Sequence, residues 1–150
     1  MANADLYKGF SAEKQAGYEA WLVERRGEPM RTGIEHSKRA FAKMSAAERN
    51  AFLETQGREL REVESALAGA LRQGVDPAAD AVDLLIRRHR AWVAAMWARP
   101  CPAEAYAGLA DLYLEHPDFV TRYERIETGF ARYLAGAMKI HAQRWRESAG

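Results

Sequence analysis

The chain of 150 residues has one cysteine, Cys101, and can close no disulfide within itself. No basic start leads into an apolar h-region, and the longest apolar runs are broken by Arg or Glu. No secretory signal and no bilayer-spanning stretch is therefore read. These absences predict a reducing, cytoplasmic setting. Charge of one sign is missing too: 22 Lys and Arg against 21 Asp and Glu leave +1, no electrostatic footprint for nucleic acid or an anionic membrane. The four histidines, His36, His89, His116 and His141, form no H-x-x-x-H or E-x-x-H pair, so no metal site is expected. Neither a glycine-rich phosphate loop nor a serine nucleophile elbow occurs, and no cofactor is implied. Strand alternation, repeats and low-complexity segments are absent as well. The expected fold class is all-α with short connections.

What the chain does have is apolar bulk. Apolar residues make up 48% of it, enough for the core of one domain over residues 1–150. Four Trp, six Tyr and five Phe exceed what a minimal bundle needs and suit a bulky core or a ligand cleft. After an arm over Met1 to Phe10, Ser11 can cap a helix to about Arg26, stopped by Gly27, Glu28 and Pro29. A second weak helix is expected from about Met30 to Lys43. Both have thin apolar faces (Tyr18, Trp21 and Leu22, then Ile34, Phe41 and Met44), so their order depends on a partner surface.

Ser45 and Glu48 make a capping box that opens a long helix to about Gln73, which Gly74 can end in a left-handed position. Leu53, Leu60, Val63, Leu67, Ala70 and Leu71 form its packed stripe, with Arg58, Arg61, Glu62 and Glu64 read as facing water. Asp76 and Pro77 start the next helix, to about Trp97, whose stripe is Val82, Leu85, Ile86, His89, Val93, Met96 and Trp97. His89 thus falls on an apolar face, as a core histidine or as a polar contact for a bound molecule. Arg87, Arg88 and Arg90 read as a solvated basic face without function.

Pro100 disfavours helix at Arg99, and Pro102 suits the first turn of a new helix to about Glu115, with Tyr106, Leu109, Ala110 and Tyr113 on one face. Gly108 allows close approach by a backbone or a ligand. Cys101 then lies at or beside an N-cap. The helix N-terminus and Arg99 favour a thiolate there, whereas Glu104 and the missing N–H of Pro102 oppose it, so an activated thiol and an inert packed one both remain open. A Cys101–His89 dyad lacks an orienting third residue and an oxyanion site, which argues against an enzyme. From Phe119 one helical pattern runs to His141 and Trp145, with Gly129 as a kink or contact point.

The ordered residues Trp97, Pro100-Cys101, Gly108-Leu109-Ala110, Tyr113, Pro117 and Phe119 carry a resemblance. With Lys8-Gly9-Phe10, Lys14, Tyr18-Glu19, Arg26-Gly27, Gly74-Val75, His89-Arg90, Gly129 and Tyr133-Leu134, it extends from about Leu6 to Trp145. The chain resembles the TipAS antibiotic-recognition domain, the C-terminal effector-binding half of MerR-type transcription activators. The resemblance implies a globin-like helical fold with a hydrophobic cleft. A mobile N-terminal lid (residues 1–44) would close over a helical core (45–146). The ligands implied are bulky hydrophobic antibiotics such as thiopeptides, bound without turnover, with Cys101 adding covalently to a dehydroalanine. DNA would be bound through a MerR-type domain not contained in this chain, and the full-length protein would be a homodimer. Helix faces and resemblance together give a cleft of His89, Trp92, Met96, Trp97, Tyr106, Gly108, Tyr113, Phe119, Phe130 and Tyr133. The family often has an aromatic before the proline and Ser or Thr after the cysteine, where this chain has Arg99 and Pro102. With no DNA-binding region in the sequence, it reads as an effector domain cut from a regulator or as a stand-alone drug-sequestering protein.

Overall fold

A computed structural model describes residues 19–21, 23, 24 and 27–149. Most of the expected Ser11–Arg26 helix lies outside these residues, although those described within it, 19–21, 23 and 24, are helical. Six further helices follow: α1 (Glu28–Ala42), α2 (Ala46–Arg72), α3 (Asp80–Trp97), α4 (Ala103–Glu115), α5 (Pro117–Ile126) and α6 (Phe130–Ala149). No strand occurs among the described residues, so the fold is all-α. The chain divides into two compact units, one of Met1–Leu60 with Trp92–Pro100, the other of Arg61–Ala91 with Cys101–Gly150. Helices α2 and α3 contribute residues to both.

In the first unit, α1 follows Gly27, whose φ of 77° suits glycine, and carries Glu28 and Pro29 in its first turn, where a carboxylate and a missing N–H are both favourable. Only Gly33 of α1 is buried. The Arg49 guanidinium donates to the Phe41 and Met44 carbonyls at 3.1 and 3.4 Å, satisfying acceptors left at the end of α1. The Ser45–Glu48 capping box forms as expected: the Ser45 N–H donates to the Glu48 carboxylate at 2.9 Å, and the Glu48 N–H to Ser45 Oγ at 3.1 Å. Leu53 and Leu60 make a small core on which Phe52, Trp92 and Met96 pack while staying partly exposed.

The core of the second unit takes Val63, Leu67 and Ala68 from α2, Val82 and Ile86 from α3, Leu109, Ala110 and Leu112 from α4, and Phe130, Leu134 and Met138 from α6. Helices α4 and α6 form its main packed pair, and small residues on them, Gly108, Ala110, Ala131, Ala135 and Ala142, are buried. The end of α2 is a Schellman motif: Gly74 has φ 72°, its N–H donates to Leu71, and the Val75 N–H donates to Ala70.

Two helix boundaries differ from the sequence reading. Asp76 does not start α3: its carboxylate accepts from the Ala78 N–H at 2.8 Å and its carbonyl from Ala79, which closes a separate turn, and the helix begins at Asp80. The helical pattern from Phe119 to Trp145 is broken at Glu127–Gly129, where Gly129 takes φ 86°. Glu124 holds that break, accepting from the N–H groups of Gly129 at 2.8 Å and Ala131 at 3.0 Å, so a side chain of α5 caps the N-terminus of α6. These bonds from Gly129 and Ala131 hold the Glu124 carboxyl below its ordinary value of 4.5. A depressed folded pKa means that the stabilisation is present above the unfolded value and disappears as pH falls through the folded one. Glu124→Ala is therefore expected to cost about 1 kcal/mol at pH 7, with a gap to wild type that narrows as the pH falls below the ordinary carboxylate value of 4.5. Urea unfolding at pH 7 and below that value checks this, and an equal gap at both would refute it.

Candidate functional site

Cys101 precedes α4 by two residues. The N-cap is Pro102, in extended geometry, and it brings no side-chain acceptor to the helix start. The thiol therefore lies just before the N-cap, and it is buried at 3% exposure. The Arg90 Nε–H donates to the Cys101 carbonyl at 2.8 Å, which fixes the backbone there, and Sγ lies 3.9 Å from the Pro102 carbonyl. The Arg90 guanidinium in turn covers the Trp145 ring at 4.4 Å. The basic run thus has defined partners: Arg87 donates to Asp83 at 2.6 Å, Arg88 pairs with Glu62 at 3.2 Å, and Arg90 supports the cysteine segment.

Around this segment the second unit carries polar groups through an aromatic interior. His89, fully buried, has Nδ1 2.6 Å from the Tyr106 hydroxyl, a contact that takes one proton from the ring or from the hydroxyl according to tautomer. Burial, reinforced by the Arg122 charge, pushes the His89 pKa down to about 3, so the imidazole is neutral. Burial raises the Tyr106 hydroxyl well above 10 and pushes Tyr113 up to about 12. The Tyr113 ring centroid is 5.2 Å from Phe119 and 4.9 Å from Tyr123, and Tyr123 meets Phe130 at 5.8 Å. A thiolate at Cys101 would raise both the Tyr106 and the Tyr113 hydroxyl further.

Sequence reasoning placed Glu64 in water, and the structure corrects this. Glu64 is 4% exposed and takes a two-point bond from Arg122, at 2.6 and 3.0 Å. Burial works to discharge the guanidinium, but Tyr123 and Glu64 outweigh it and the Arg122 pKa is raised. The signal was in the sequence, since Glu64 follows Leu60 by four residues and precedes Leu67 by three and so shares their face. Arg122, also missed, follows Phe119 by three residues, next to Tyr123, which the helical pattern from Phe119 includes.

Of the expected cleft residues, the second unit thus brings together His89, Tyr106, Tyr113, Phe119 and Phe130, with Tyr106 and Phe130 fully buried. Gly108 is buried on α4. Tyr133 stands apart from the aromatic contacts: its hydroxyl donates to the Val75 carbonyl at 2.8 Å and pins the connection after α2.

Trp92, Met96 and Trp97 belong to the first unit, each partly exposed. The Trp92 indole N–H donates to the Gln56 carbonyl at 3.0 Å. The helix α3 ends in a second Schellman motif, with the Ala98 N–H on Ala95 and the Arg99 N–H on Ala94, and here alanine takes the left-handed position, at φ 55°. A non-glycine residue there is strained, and contacts from α1 hold it in place: Ser37 Oγ donates to the Trp97 carbonyl, and His36 Nε2 lies 3.0 Å from the Ala98 carbonyl. Beyond this turn the Arg99 guanidinium lies over the Trp97 ring at 4.5 Å and against Gly33, where a Cβ would collide with it.

Among the described residues, no group of three His, Cys, Asp or Glu is placed to hold a metal, and no helix is long and apolar enough to cross a membrane.

A model of the TipAS antibiotic-recognition domain matches residues 18–141. The HTH-type transcriptional regulator SkgA, from two strains of Caulobacter vibrioides, is 37% identical over 143 residues, covering 95% of this chain and 54% of the relative. The chain thus spans about half the length of the curated relatives it matches. No solved structure matches it.

Proposed function

Because this chain belongs to the TipAS antibiotic-recognition family, we propose that it is the effector-binding half of a MerR-type transcription regulator, taking up bulky, mostly apolar compounds such as thiopeptides. The observation that carries this reading is a set of large, partly exposed apolar side chains in the first unit: Phe52, Trp92 and Met96, packed on Leu53 and Leu60, and Trp97. Aromatic and methionine side chains held half-buried suit a binder that tolerates varied shapes. Trp92, Met96 and Trp97, named from the sequence, serve that ligand, and DNA contact and dimerisation belong to a part of the regulator outside this chain. The module binds and signals; it does not turn its ligand over.

Cys101 is the proposed covalent anchor. Its thiolate adds to the β-carbon of a dehydroalanine, the α-carbon takes up a proton, and a thioether results. A thiol at 3% exposure must first be uncovered, so adduct formation is slow and saturates with ligand. Tryptophan fluorescence during titration with thiopeptides is expected to show saturable quenching. Intact-mass spectrometry is expected to show one adduct in wild type and none in Cys101→Ser, which keeps the quenching. Silence across a panel of bulky drugs would remove the binding reading, while an adduct that survives Cys101→Ser would remove only the covalent one.

A further inference from the structure

We propose that Arg99, stacked on Trp97, is a carboxylate anchor in the first unit, so that the ligands favoured by this chain are planar apolar compounds bearing an acidic group. The inference deepens the effector-binding reading and rests on it.

The guanidinium is held on two sides, by the Trp97 ring at 4.5 Å and by Gly33, where no side chain intervenes. Its Nε is buried with no hydrogen-bond partner, and no carboxylate among the described residues pairs with it. This sets Arg99 apart from the arginines nearby in sequence: Arg87 has Asp83, Arg88 has Glu62, and Arg90 has the Cys101 carbonyl. The buried Nε–H has lost hydration and found no acceptor among the described residues, a cost that an arriving anion would offset. The backbone beneath it is built at a cost as well, with Ala98 in the left-handed region and the Trp97 and Ala98 carbonyls both held by α1. Those contacts orient the guanidinium before any ligand arrives, which reduces the ordering that binding would require.

The chemistry of the occupant follows from the groups present. A guanidinium fork matches a carboxylate through two parallel N–H bonds. The neighbouring Trp97 indole supplies apolar surface for the rest of the molecule. A neutral compound of the same shape would gain only that apolar contact, and a cationic one would be repelled.

Pyrenebutyric acid and its neutral analogue pyrenebutanol test this directly, titrated against the full chain by pyrene fluorescence. Wild type is expected to bind the acid at least ten times more tightly than the alcohol. Arg99→Gln should bring the two affinities within about threefold of each other while leaving that of the alcohol unchanged. Arg99→Lys, which keeps the charge but loses the fork, should fall between, and circular dichroism establishes that each variant is folded. Equal affinities in wild type, or an Arg99→Gln variant that weakens both probes alike, would overturn the anchor while leaving the effector-binding reading intact. Failure of both probes to bind would overturn the anchor, and silence across the panel of bulky drugs as well would overturn the effector-binding reading.

Discussion

Arg122→Ala is expected to destabilise the protein by about 3 kcal/mol, the lower end of the range for breaking a buried ion pair. Glu64 is the reason: at 4% exposure it relies on the two Arg122 bonds, and without them a carboxylate is left in an aromatic interior. The lower end applies because the Arg122 side chain keeps 27% of its exposure, so water can reach the vacated position and hydrate part of the stranded charge. In a chain of this size the loss corresponds to a fall in Tm of the order of 10 °C. Replacing both partners with apolar residues, Glu64→Leu with Arg122→Met, removes the charge together with its counterion and is expected to recover most of the loss. Urea unfolding of the three variants measures the two effects. A loss below about 1 kcal/mol for Arg122→Ala would show that the pair contributes no more than a surface bridge.

Phe130→Ala is expected to cost about 4 kcal/mol, towards the upper part of the range for a large core deletion. Phe130 is fully buried, and its ring meets Tyr123 edge-on, 5.8 Å between centroids with the planes at 73°. A cavity costs most where the surroundings cannot close over it. Here the backbone on both sides is fixed, since the Glu124 carboxylate grips the N–H groups of Gly129 and Ala131. Phe130→Leu, which keeps most of the volume, should cost no more than about 1.5 kcal/mol. Calorimetry of the two variants separates volume from chemistry, and similar losses for both would refute the cavity argument.

Features that depend on a few adjacent residues were legible in the sequence. Ser45 with Glu48, and Gly74 after a long apolar stripe, define both ends of α2 without help from elsewhere. The prolines around Cys101 likewise marked the α3–α4 junction, and the order of residues from Trp97 to Phe119 pointed to the family. What escaped depended on partners distant in sequence or on a competing pattern. The break at Glu127–Gly129 interrupts a periodicity that continues through it, and the carboxylate that organises it comes from the preceding helix. Glu64 was misassigned because charge was given more weight than position, while its partner is 58 residues away. The two-sided seat of Arg99 could not be read from the sequence at all, since it requires Gly33 of α1 to meet the end of α3.

The depressed basicity of His89 and the raised hydroxyls of Tyr106, Tyr113 and Tyr123 have a practical consequence for binding measurements. Between about pH 4 and pH 10 none of these four groups changes protonation state, so the aromatic interior of the second unit is an electrostatically silent background. A pH profile recorded for capture at Cys101 therefore has no contribution from those walls. Inflections that move when the profile is repeated with a drug of different ionisation belong to the drug, and those that stay belong to the protein outside these four groups.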